Sequence, residues 1–152
     1  MLDQFQQAFS DLVGSPAFVS DVRERPEVLY ERYELSELEW RRLVHVVNQK
    51  GMECNCMLYR ANRLVPIAMN LPELCKVLEK DLRAILSEYW TLYPRTDVHF
   101  LLESYRFCEF LKAKFDRGDI ADSTISSVLA AEMAVIAARL EASYTGSEAP
   151  AH

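Results

Sequence analysis

Between residues 71 and 93 apolar side chains return every three or four positions, at Leu71, Leu74, Cys75, Leu78, Leu82, Ile85, Leu86, Tyr89 and Tyr93. A strand alternates with period two, so this run reads as a helix, and its unbroken period predicts one long helix from Pro72 up to Pro94. A helix with such a stripe has to bury it against other elements, and the same period recurs along the rest of the chain. Only four of the 152 residues are glycine and half are hydrophobic, which favours long helices with short connections over turn-rich sheets. The expected fold is all-α, a single-domain helical bundle of about six to seven helices over residues 1–144. The small, polar tail "TGSEAPAH", residues 145–152, is expected to be disordered.

Local signals place the other helices. Apolar positions 2, 5, 9, 12 and 13 step at helical spacing up to Gly14, and Ser15-Pro16 supplies an N-cap and a first helical residue for the next segment. In "LSELEW" Ser36 and Glu39 have capping-box spacing, with Leu35 and Trp40 at the hydrophobic-staple positions, so a helix is expected over 37–50, stopped by Gly51. From Met52 onward, Cys54, Met57, Leu58, Ala61, Leu64, Val65 and Ala68 form an apolar stripe that predicts a core-facing helix. Pro66 lacks the N–H owed to Asn62, so this helix is expected to kink there or to end near Val65 and restart. Thr96 or Asp97 is expected to cap a wide-faced aromatic helix ending near Phe115, and a last helix runs from Ile120 or Ser123 to Tyr144.

The formal charge is −6, so the chain lacks the positive field that phosphate binding relies on, and a nucleic-acid partner is disfavoured. No basic region followed by an apolar run opens the sequence, and no stretch is read as a membrane span; the protein is expected to be cytoplasmic and to have no membrane partner. Its four cysteines are expected to be free thiols. Cys54 and Cys56 lie about 200° apart around a helix, no C-x-x-C or H-x-x-x-H pair occurs, and no metal or cofactor is expected. Cys54, Cys75 and Cys108 are read as core thiols. Cys56 shares a face with Arg60 and Arg63, whose charges would favour a reactive thiolate; the alternative is an ordinary, partly exposed thiol.

Two further features are candidates for function. Tyr59, Arg60, Asn62 and Arg63 lie on the polar sides of their helix, as a partner- or peptide-binding face or as a solvated one. Glu132 interrupts the stripe of Ile125, Val128, Leu129, Ile136 and Leu140, and a carboxylate there needs a partner. A buried ion pair with an arginine is expected, Arg106 being the choice and Arg60 and Arg63 the alternatives. Such a pair serves as a clamp between helices or as a ligand site.

The segments "YRANRLVPIAMNLPELCKVLEKDLRAILSEYW", "YRFCEFL" and "LAAEMAVIAARLE" together resemble the helical part of a family of small bacterial partner proteins, often labelled DNA-binding. These accompany multinuclear non-haem iron enzymes that oxidatively modify ribosomally made peptides. The resemblance rests on Tyr59-Arg60-x-Asn62, on the Leu-Pro at 71–72, on the aromatic helix and on Glu132, over about residues 54–142. The N-terminal "SPAFVSDVRERPEVLYERYELSELEWRRLV" is similar to the small helical subunit of protocatechuate-type extradiol dioxygenases, which carries no metal ligands. What both resemblances imply is a non-catalytic companion of an iron-dependent oxidative enzyme, of its precursor peptide, or of both, in natural-product biosynthesis; a homodimer is compatible with this. The other readings are a stand-alone enzyme using Cys56 or Glu132 and a helical DNA-binding regulator, the latter without a helix-turn-helix glycine turn.

Overall fold

A computed structural model describes residues 2–96 and 99–145, and among these it is all-α, with nine helices in the order α1 (Leu2–Gly14), α2 (Pro16–Glu24), α3 (Val28–Arg32), α4 (Glu37–Val47), α5 (Gly51–Asn70), α6 (Pro72–Leu78), α7 (Leu82–Leu92), α8 (Phe100–Asp116) and α9 (Ser123–Thr145). The expected caps form. Ser15 Oγ accepts from the Phe18 amide at 3.2 Å with Pro16 in the first turn of α2, and at α4 the Glu39 carboxylate accepts from the Ser36 amide while Ser36 Oγ accepts from that of Glu39. Asp97 and the tail from residue 146 lie outside the described residues.

The helix count exceeds the expected six to seven, one of the additional helices arising where the run after Pro72 is broken. Glu79 takes φ 33°, in the region that side chains avoid, so α6 stops at Leu78 and α7 starts at Leu82. Apolar period alone does not register this break, since Leu78 and Leu82 keep the stripe in phase across it. Gly51 opens α5 instead of ending α4, and α8 begins at Phe100, after an N-cap His99 whose side chain makes no capping bond. At Pro66, α5 stays helical; the Pro66 carbonyl lies 2.9 Å from Ser104 Oγ and accepts from Asn70 Nδ2 at 2.9 Å.

By internal packing the chain divides into two compact units, residues 2–62 with 90–95, and residues 63–89 with 96 and 99–145. In the first, α2 packs on α1, α3 and α4 around Leu12, Val22, Leu29, Leu43 and Val47, all fully buried, with the partly buried Leu35 and Trp40 against them. Trp40 stacks on Tyr30 and donates its indole N–H to the Pro26 carbonyl at 3.0 Å. Gly14 is needed where α1 ends: a Cβ there would stand 2.6 Å from the Pro94 carbonyl oxygen.

In the second unit α9 packs on α8 and α6. Tyr89, Phe107 and Phe110 form an aromatic cluster, Tyr89 meeting Phe107 edge-on at 5.2 Å, with Leu71, Leu74, Leu111 and Ile136 around the core. By length and composition Ser123–Tyr144 would suffice to cross a membrane, which corrects the expectation that no segment has that character. Alanine raises its mean hydropathy although Glu132 and Arg139 interrupt it. Leu129, Ile136 and Leu140 face the core, while Ala130, Ala131, Ala134, Val135 and Ala138 are exposed.

Candidate interaction surfaces

Burial on α5 falls on a different face from the one its apolar stripe predicts. In the first unit Met52 and Cys56 are buried and Tyr59 and Arg60 half-buried, whereas Cys54 and Ala61 are exposed, Met57 is 72% exposed and Leu58 61%. In the second unit Arg63, Pro66 and Ile67 are buried, while Val65, Ala68 and Met69 are exposed. The helix has two faces compatible with an interior. The one chosen spaces Met52, Cys56, Arg63 and Ile67 at helical intervals, with amphipathic side chains covering apolar neighbours by their stems. The expectation that Cys54 is a core thiol is corrected with the stripe; Cys75 is half-buried and Cys108 buried, its thiol pushed up to about 12 by burial first and by the Glu132 and Glu109 charges second.

The proposed reactive thiol is corrected too. Cys56 is only 4% exposed, its Sγ–H directed at the Leu12 carbonyl at 3.6 Å. Burial raises its pKa and outweighs the Arg60 and Arg23 charges that would lower it, so the thiolate is disfavoured.

Of the four residues assigned to a binding face, three are engaged within the protein. The Tyr59 hydroxyl donates to the Pro94 carbonyl at 3.3 Å, and the Arg60 guanidinium lies 5.6 Å over the Trp90 ring. Asn62 is exposed. Arg63 is 2% exposed, with Nε and Nη2 each 2.8 Å from Oε1 of Glu103, itself 1% exposed. Glu103 Oε2 accepts from Thr96 Oγ1 at 2.7 Å, and the Tyr89 ring lies 5.3 Å from the Arg63 guanidinium carbon. Burial holds the Tyr89 phenol protonated, with the Glu103 charge acting in the same direction.

Glu132 has other partners than the expected Arg106. Its two carboxylate oxygens accept from the main-chain amides of Glu73 at 3.1 Å and Leu74 at 2.9 Å, the free donors of the first turn of α6. Leu71, the N-cap of α6, has no side-chain oxygen, so α9 provides the missing cap from a half-buried position. An amide pair satisfies the carboxylate as well as a guanidinium does, and sequence spacing cannot distinguish the two.

Two polar clusters went unread in the sequence. Glu103 had no signal of its own: of the three carboxylates on α8, Glu109 and Asp116 are exposed and Glu103 alone is buried, and spacing does not separate them. The other is in the first unit, where Asp11 accepts from Arg95 Nε at 3.0 Å and Nη2 at 3.2 Å, from the Tyr33 hydroxyl at 2.7 Å and from Gln7 at 3.0 Å. Burial alone would raise the Asp11 pKa, but the bonds from Arg95, Tyr33 and Gln7 with the Arg95 charge together lower it. Its members lie far apart in the chain, so no motif announces it.

Among the described residues no three His, Cys, Asp or Glu side chains converge on a point where a metal ion would sit. Comparison with family models, with curated proteins and with solved structures gave no match.

Proposed function

We propose that this protein is a non-catalytic binding subunit, acting in the cytoplasm as the companion of an iron-dependent enzyme that oxidatively modifies a ribosomally made peptide, and that it docks through the outward face of α5. The observation that carries the reading is the exposure of Met57 and Leu58, at 72% and 61%, beside exposed Cys54 and Ala61. Each large apolar side chain left in water forgoes about 1.5–3 kcal/mol of burial, which a partner surface recovers. Methionine adds adaptability to such a surface. The resemblance of Tyr59-Arg60-x-Asn62 and of the dioxygenase-like N-terminal segment supports the kind of partner. The enzyme reading loses ground, because Cys56 is a buried, protonated thiol and Glu132 caps a helix.

The test is co-expression with the products of neighbouring genes. An iron enzyme or short precursor peptide encoded beside this gene is expected to co-purify with it in a fixed ratio. Neighbouring genes that encode neither, or an iron enzyme that elutes separately, would refute the assignment.

A further inference from the structure

The first unit contains a cleft of 230 Å³ whose lining includes Asp11, Phe18, Arg32, Tyr33, Pro94 and Arg95. One wall is fixed: Asp11 is held by Arg95, Tyr33 and Gln7 at once. The other side differs. The Arg32 guanidinium lies 4.5 Å over the Phe18 ring and forms no ion pair with a carboxylate among the described residues. The nearby Glu31 pairs instead with Arg25 at 3.2 Å, and Glu34 lines a separate cleft that Arg32 also borders. The cleft therefore contains two guanidinium groups to one carboxylate in a chain of net charge −6. Phe18 and Pro94 make its lining partly apolar, and Ser15, the N-cap of α2, lines it as well, beside the positive end of that helix's backbone dipole.

We propose that this cleft binds a carboxylate borne on a small organic body, the chain end or acidic side chain of a peptide, with Arg32 as its ion-pair partner. A guanidinium lying over an aromatic ring keeps its planar fork of N–H groups available to pair with the two oxygens of a carboxylate. The apolar part of the lining receives the adjoining carbon atoms, a fit that inorganic phosphate does not have. The site goes beyond the docking reading of α5 and is built from other residues, so the two stand or fall separately.

The experiment is an NMR titration of the whole protein, following the Arg32 side-chain N–H and the Phe18 amide. The probes are N-acetyl-leucine for a chain end, N-acetyl-glutamic acid α-amide for a side chain, and N-acetyl-leucine amide and inorganic phosphate as controls. At least one carboxylate probe is expected to give saturable shifts, with the neutral amide binding about tenfold or more weakly. Which carboxylate binds more tightly assigns chain end or side chain. Arg32→Gln should weaken that probe about tenfold with unchanged melting, and Arg32→Lys should fall between, since it keeps the charge but not the fork. The Met57→Asp, Leu58→Asp variant should bind the probe as the wild type does. Equal binding of the neutral amide, unchanged binding by Arg32→Gln, preference for phosphate, or no saturable shift with either carboxylate would each overturn the proposal.

Discussion

Arg63 and Glu103 would each be prohibitively placed alone, since an unpaired charge in a protein interior is far less stable than in water. Together, with Thr96 on the second carboxylate oxygen and Tyr89 against the guanidinium, they form a charge-paired cluster. Glu103→Ala is therefore expected to destabilise the protein by about 3–5 kcal/mol in urea denaturation, and Glu103→Gln by less, because the amide oxygen still accepts a bond. Equal, small effects would mean that Arg63 finds water instead. Asp11 is expected to show itself through pH. Its folded pKa lies below the ordinary 3.8, so the stability it contributes is present above that value and is lost as pH falls through the folded pKa. Asp11→Asn should thus cost about 1–2 kcal/mol near neutral pH, and the gap from wild type should narrow in acid denaturation profiles as pH falls below 3.8. A gap independent of pH would assign the loss to packing.

At the level of helices, periodicity identifies an element without saying which of two plausible faces turns inward. The capping box and the Ser15 N-cap were legible because their partners lie within one turn, at Ser36 and Glu39 and at Ser15 and Phe18. The inward face of α5 was not, because Arg63 turns inward for a partner forty residues away, and the cap of α6 comes from Glu132, fifty-eight residues beyond Leu74. Glu132→Ala is expected to lower stability by about 0.5–2 kcal/mol, as loss of a helix cap does, with Glu132→Gln recovering part. Thermal melts that leave Glu132→Ala unchanged would contradict the cap. The break at Glu79 left no trace in the pattern, since a left-handed residue needs no particular neighbours. Glu79→Gly should raise stability by about 1 kcal/mol by relieving that backbone, whereas glycine within α6 or α7 should lower it.

For the molecule as a whole, all-α character followed from composition and period, which hold whichever face turns inward. The function did not, because what a helical protein binds depends on the faces it leaves in water. The outward apolar face of α5 is the basis for reading this one as a binding subunit, and the Tyr59, Arg60 and Arg63 side chains that seemed the natural anchors are engaged internally. The most direct measurement is the affinity of the purified protein for the partner that co-purifies with it, proposed above to be an iron enzyme or its precursor peptide, by calorimetry, for the wild type, Met57→Asp with Leu58→Asp, and Asn62→Ala. The double substitution should leave circular dichroism and melting unchanged, because both side chains are exposed, yet weaken binding by about a hundredfold or more, while Asn62→Ala changes it little. Binding by the double variant as tight as that of the wild type would contradict the claim that this face is where the partner docks.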